Sequence, residues 1–527
     1  MSAAPSPSAA AWRPQANPWL IAAAVMLATV LEVLDTTVAN VALPHIAGNL
    51  SVTPEDGTWM LTSYLVANAI VLPMTGWLAR RFGRKRFLMW CVTGFVLSSA
   101  ACGAAPSLPF LVVARVLQGA AGGALQPLSQ AILMESFPPH KRGMAMAVFG
   151  LGVVCAPIIG PTLGGWITDT YSWRWIFYIN LPLGGAALLM CRAFIEDPPY
   201  LKESLANGGK KMDLVGFGLL ALWLATLQIV LDKGQQADWF NAAWVCWFSV
   251  VSCAAMLAFI WHELHVERPL VDLRVLANRN FALGTAMIGV VGVVLYSALT
   301  LLPLYLQGLM GYSALDSGLT LSPRGLGAVV AMVLVGRLIG KVDSRYLIGF
   351  GFTLLAYSTY LFSGINLDID MMRIVWPNVI MGVALGFVFV PMTTLAMGGL
   401  PNEQMGNGAG LFNLMRNLGG GIGISVVTTM LARGAQTHQT LLAEHMTPDN
   451  PQFARLMEHL GSVFSYHADP VLADQQAYAV MYRVLTQQAN MLAYLDNFRS
   501  LAVMCLLCIP CVIFFKRVRR GRAVAGH

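Results

Sequence analysis

The sequence predicts an all-α integral membrane protein of about fourteen transmembrane helices, and two observations carry that prediction. Of 527 residues, 57% are hydrophobic and 11% charged, less than half the roughly 25% charged content of soluble domains. Mean hydropathy is +0.63. The apolar residues also gather in runs of about 20, the length a helix needs to cross about 30 Å of hydrocarbon. Open sheets cannot span lipid, and a barrel strand alternates over about 10 residues instead.

The runs fall at 19–43, 59–79, 87–105, 109–133, 143–167, 174–194, 213–231, 242–261, 280–306, 314–336, 346–363, 374–397, 406–430 and 498–515. The first is too long for a signal-peptide core and holds two acids, so it reads as a retained helix. The small, proline-bearing stretch 1–18 before it reads as a disordered tail. An even number of spans puts both termini on one side. Placing that side in the cytoplasm leaves 23 of the 33 Lys and Arg inside, 7 outside, and Arg115, Arg324 and Arg416 within spans. This matches the positive-inside rule and accounts for the +7 net charge with no nucleic-acid partner. The basic residues from Lys516 to Arg522 read as a juxtamembrane anchor. The polar segment 432–497 then lies outside; its Ala, Gln, Met and Leu favour helix. It is either a passive connector or a docking element.

Gly76-Trp77-Leu78 after span 2 is echoed by Gly336-Arg337-Leu338 after span 10. With spans 7 and 8 as an insertion, these loops take equivalent places in two six-helix bundles, a common transporter plan. The chain then divides into a tail 1–18, a first bundle 19–195, a linker with accessory helices 7 and 8 over 196–279, a second bundle 280–516 that includes 432–497, and a basic cytoplasmic tail 517–527.

Charges inside spans are the sharpest functional signal, since each costs roughly 2.5–3.5 kcal/mol at a helix centre. Glu32 and Asp35 stand three apart on one face of span 1. Two acids that close do not both ionise easily in low dielectric, so the pair is a candidate proton carrier. Arg115 is either the counter-ion of that carrier or half of a permanent ion pair. Arg324, beside Pro323 and Gly325, and Arg416, in Asn413-Leu414-Met415-Arg416-Asn417, either line a cavity or form buried salt bridges. Three cations against two acids predict lipophilic weak acids or neutral amphiphiles as substrates rather than dications. The span-5 glycines at four-residue spacing present a flat face for helix packing.

Other chemistries find no support. Gly419-Gly420-Gly421-Ile422-Gly423 lies in an apolar span and lacks the Gly-Lys-Ser/Thr of a phosphate loop. Cys505, Cys508 and Cys511 lie in an apolar run with no fourth ligand, and His262 and His265 miss the zinc-protease spacing. No nucleophile–base constellation stands out. The expectation is therefore a protein without metal or cofactor, and not an enzyme.

Several motifs, in order along the chain, give a resemblance. Leu34-Asp35-Thr36-Thr37-Val38-Ala39-Asn40-Val41-Ala42-Leu43-Pro44 is similar to a first-helix signature, and Trp59-Met60-Leu61-Thr62-Ser63-Tyr64 to a second-helix one. Gly76-Trp77-Leu78-Ala79-Arg80-Arg81-Phe82-Gly83-Arg84-Lys85-Arg86 is similar to a cytoplasmic-loop motif; Arg115-Val116-Leu117-Gln118-Gly119, Gly152-xxx-Ala156-xxx-Gly160-Pro161-Thr162-Leu163-Gly164-Gly165, and Trp173-Arg174-Trp175-Ile176-Phe177 with Asn180-Leu181-Pro182 follow. Together they resemble the 14-helix drug:proton antiporter family of the major facilitator superfamily, in its EmrB-type branch, from about residue 19 to 516. The resemblance implies the major facilitator fold and export by proton antiport across the bacterial inner membrane, with a periplasmic adaptor and an outer-membrane channel as partners. A dedicated exporter of a fatty acid or endogenous metabolite is the second reading. The intramembrane polar residues and the resemblance together assign proton coupling to Asp35, Glu32 and Arg115, although the family pattern does not require an acid at Glu32, and a substrate cavity to Gln118, Arg324, Asn413 and Arg416; the resemblance assigns an antiporter motif to Gly152, Gly160, Pro161, Gly164 and Gly165, and gating to Gly76, Gly83 and Arg84. The loop departs from the family at Arg80, where Asp is usual; Glu135 is the expected substitute for the lost charge latch.

Overall fold

The computed structural model describes residues 14–138, 141–198, 213–267, 269–339, 341–401, 404–465 and 470–516. Most of the expected tails, 1–18 and 517–527, lies outside them. The described residues form helices and no strands.

Each predicted span becomes a helix. The first six are α1 Pro18–Asn49, α2 Trp59–Phe82, α3 Arg84–Gly103, α4 Leu108–Ser136, α5 Arg142–Thr170 and α6 Trp175–Phe194. Two more, α7 Leu214–Lys233 and α8 Ala243–His265, follow. The last six are α9 Arg279–Leu309, α10 Asp316–Leu338, α11 Ser344–Phe362, α12 Met371–Met397, α13 Met405–Ala443 and α14 Val471–Phe514. Thirteen are apolar enough to cross a membrane by composition; α11 falls short because it is only 19 residues long and Arg345, with tyrosines, serines and threonines, dilutes its apolar residues. Local chemistry sets the starts. Pro18 occupies the first turn of α1, where Asn17 accepts from the Trp19 amide, and Asp213 and Asn278 cap α7 and α9.

Helices α1–α6 pack into one bundle and α9–α14 into a second, and the bundles meet where α2 and α4 face α13 and α5 faces α10 and α12. The helices α7 and α8 pair with each other and are the least buried spans. They sit beside the interface: α7 touches both α2 and α13, and Asp232 and Lys233 bond Thr62 of α2 and Thr58 just before it. On the other side, Trp239 donates to Thr429 of α13 at 2.9 Å.

Two differences from the hydropathy reading have physical causes. Span 4 is broken at Gly123–Ala124 into Leu108–Gly122 and Leu125–Ser136, because glycines there let α2 press against the backbone. Helix α13 runs on to Ala443 and the helix ending in α14 begins at Pro470, each exceeding the roughly 20 residues a bilayer needs. Hydropathy reports where lipid ends, not where hydrogen bonding ends. The described part of 432–497 is thus built of helical extensions, with a further helix, Pro451–Ser465, packed on the one that begins at Pro470.

Candidate functional site

Two buried acids organise the middle of the first bundle. Asp35 of α1 accepts from three donors: Arg115 Nη1 at 2.6 Å, Gln118 Nε2 at 2.8 Å and Asn180 Nδ2 of α6 at 2.8 Å. Arg115 and Asp35 side chains are each 1% exposed. Arg115 also donates to Gln118 Oε1 at 2.8 Å and through Nε to the Met60 carbonyl at 3.2 Å. Its guanidinium stacks 4.2 Å from the Tyr64 ring centroid.

Glycines make this reach possible. A Cβ on Gly119 would collide with the Tyr64 carbonyl, and one on Gly123 would stand 2.6 Å from the Asn68 carbonyl. Only bare backbone allows α4 so close to α2. The span-5 stripe does the same for α1: a side chain on Gly152, Gly160 or Gly164 would meet Met26, Thr37 or Val38 in turn. Pro161 and buried Gly165 lie in the same stretch, and α5 runs unbroken through both of its prolines.

Glu32 is held differently. Its two carboxylate oxygens accept from amides, Asn68 Nδ2 at 3.1 Å and Gln126 Nε2, and among the described residues no arginine forms a salt bridge with it. Gln126 in turn accepts from Arg416 Nη2 of α13. One turn further along, Asn413 Nδ2 donates to Gln130 Oε1 at 2.5 Å. These two rungs join α4 to α13, so Glu32 reaches the second bundle through a single amide.

Of the four residues assigned to a cavity, Gln118 lies in the Asp35–Arg115 network, while Asn413 and Arg416 lie on the interface. Arg324 stands apart, buried between α10 and α12, with Nη2 against Met381 Sδ and Nε without a partner. Neither Arg324 nor Arg416 has a carboxylate within salt-bridge distance among the described residues, and Nε and Nη1 of Arg416 are also unpartnered.

At one end of the bundles, Gly83 turns the chain at φ +84°, a conformation suited to glycine. The next residue, Arg84, pairs with Glu135, both side chains almost fully buried. Glu135 thus does engage the loop motif, through Arg84. The acid whose charge acts on Arg80 is Asp272, in the segment after α8, opposed by neighbouring Arg84. Gly76 lies against Asn407 of α13, whose side chain bonds the Asp272 backbone at 2.8 and 3.2 Å.

Sequence reasoning missed Gln126, Gln130, Asn68, Asn180 and Asp272. The signal for the glutamines was present as Gln126-Pro127-Leu128-Ser129-Gln130 inside an apolar span.

Two six-helix bundles of membrane-spanning helices, with buried ion pairs inside the first and amide rungs across their seam, have the architecture of a multi-pass membrane transporter. The chain belongs to the major facilitator superfamily, which it matches over residues 25–424, and within it to the EmrB-type exporters. It is 37% identical over 497 residues, 94% of each chain, to the multidrug export protein EmrB of Escherichia coli strain K12. It is 37% identical over 486 residues, 92% of this chain and 94% of the other, to the fatty acid resistance protein FarB of Neisseria gonorrhoeae. Among solved structures, the human organic anion transporter MFSD10 aligns with a TM-score of 0.59 at 15% identity, covering 94% of this chain and 100% of that one, a likeness of fold alone.

Proposed function

We propose that the protein exports lipophilic drugs or toxic amphiphiles across the inner membrane by proton antiport and alternating access, with both termini in the cytoplasm. The observation that carries this is the Asp35–Arg115 pair, sealed from water inside the first bundle beside a second acid, Glu32. Buried carboxylates whose protonation changes their bonding are what a proton-driven carrier needs. A proton at Glu32 displaces neutral amides; a proton at Asp35 releases an arginine. Moving one charge across about 100 mV yields about 2.3 kcal/mol, enough for a roughly fifty-fold substrate gradient.

The names of its relatives, multidrug export and fatty acid resistance, support export of apolar compounds. Arg324 and Arg416, neither ion-paired, favour weak acids and neutral amphiphiles over dications. A dedicated exporter of a fatty acid or endogenous metabolite is the second reading, favoured by the same arginines. The EmrB-type resemblance implies that the protein serves as the inner-membrane part of a tripartite assembly, with a periplasmic adaptor and outer-membrane channel; the helical extensions within 432–497 offer a surface for the adaptor.

Proton-coupled efflux from inverted vesicles tests the reading. Wild type concentrates a lipophilic weak acid and loses it when the gradient collapses, whereas Asp35→Asn does not concentrate it. Equal, collapse-sensitive transport by both would remove Asp35 from the mechanism.

A further inference from the structure

The Glu32–Gln126–Arg416 chain has a directionality that the Asp35 network lacks. Arginine carries only donors, so Gln126 must turn its oxygen to Arg416 and its nitrogen to Glu32. Asn68 also presents a nitrogen to Glu32, so both oxygens of that carboxyl accept. This arrangement suits a carboxylate. A Glu32 protonated on the oxygen that faces Gln126 gains a donor there, and Gln126 can receive it only by turning its amide over. The turned amide would face its NH2 group to the Arg416 guanidinium, donor against donor, and the bond between bundles would be lost.

From this we infer that Gln126 is the positioning residue through which the protonation of Glu32 sets the contact between the two bundles, an inference that rests on the proton-coupled reading above. The link is long-range in the chain: Glu32 and Gln126 belong to α1 and α4, and Arg416 to α13. The charged and titratable groups facing Glu32 are Asp35 on its own helix, Tyr64 of α2, Tyr296 of α9 and Arg416 of α13. Arg416 is the only cation in that set, and Gln126 alone bonds both it and the acid. The neighbouring Gln130–Asn413 rung touches no charged group, so protonation of Glu32 leaves it intact. Arg416 also keeps Nε and Nη1 free, ready for other acceptors once Gln126 turns away.

The test is the pH response of the bundle-to-bundle distance, read with a pair of spin labels, one on each bundle, in cysteine-depleted protein reconstituted in lipid. In wild type, acidic and alkaline buffer should give open-to-closed ratios that differ by about 5- to 150-fold, the usual span of a coupling between two sites. Glu32→Gln abolishes the response. Gln126→Leu reduces it to less than about twofold, while Gln130→Leu keeps it. A Gln126→Leu protein that responds like wild type overturns the assignment, as does a Gln130→Leu protein that loses the response equally, since both bonds would then be simple adhesion. Folding is checked by thermal melting in detergent; should Gln126→Leu fail that check, Gln126→Asn, one methylene too short to span, gives the same reading. A wild type with no pH response, or one matched by Glu32→Gln, sinks the reading that Glu32 couples protons and is told apart from a failure at Gln126 alone.

Discussion

Gly76 of α2 lies so close to Asn407 of α13 that a Cβ on it would stand 2.7 Å from the Asn407 amide nitrogen and 2.9 Å from its Cα. Both are backbone atoms, so nothing flexible can yield. The equivalent glycine of the second bundle, Gly336, faces Ala147 and Met144 of α5 at 3.3 Å. The repeated Gly-x-Leu loops thus begin at the two seams between bundles.

Gly76→Ala should therefore prise α2 from α13 and lower efflux about tenfold, the equivalent of about 1.4 kcal/mol. Gly185→Ala, where a Cβ meets nothing within 4 Å, should leave efflux unchanged. Dye extrusion from cells expressing equal amounts of each protein makes the comparison, and matching rates for the two variants would place Gly76 outside the seam's working contacts.

Glu135 and Arg84 illustrate a buried ion pair near a helix end. Removing one partner takes a close counter-charge from a buried ion, at a cost of up to about 3–5 kcal/mol, whereas removing both can be nearly neutral. Glu135→Gln should thus lower the melting temperature in detergent substantially, and Glu135→Leu with Arg84→Leu should recover much of it. A double variant as unstable as both single ones added together would show that the two side chains act independently.

These residues show what the sequence could and could not disclose. The spans were legible because lipid imposes a length and a composition, and Glu32, Asp35 and Arg115 because a charge in an apolar run is costly enough to be conspicuous. Gly76 and the span-5 stripe were legible through spacing and resemblance. The roles of Gln126, Asn68 and Asn180 were not, even though Asn180 fell in a motif and Gln126 in a polar turn of an apolar span, since neutral amides are tolerated inside bundles and only their partners give them meaning. Asp272 stands close enough for its charge to act on Arg80 across nearly two hundred residues of chain, a proximity no local pattern encodes. The joint reading of Arg324 with Arg416 also needed coordinates: both are buried, but one lies within the second bundle and the other on the seam.

That separation makes Arg324 testable alone. If its unpartnered Nε meets a substrate carboxylate, Arg324→Leu should cut transport of lipophilic carboxylates about tenfold and spare neutral amphiphiles of similar size, since charge-assisted hydrogen bonds contribute about 1.5–3 kcal/mol. Uptake by inverted vesicles of a matched acid and its methyl ester reads the difference. Equal losses for acid and ester would assign Arg324 to packing.

The Asp35–Arg115 pair allows structure and mechanism to be separated by charge. Asp35→Asn leaves Arg115 buried with two amides and a carbonyl for company, so it should lower stability as well as abolish gradient-driven efflux. Arg115→Gln leaves Asp35 with amide donors only and should do the same. The double variant restores neutrality, and its melting temperature should rise above that of either single variant. Efflux against a gradient should stay absent, because no carboxylate remains at that position to exchange a proton against an arginine. Melting curves in detergent and gradient-driven transport in vesicles, measured on the same preparations, decide it. A double variant that regains both stability and uphill transport would reduce the pair to scaffolding and leave Glu32 as the acid that responds to the gradient.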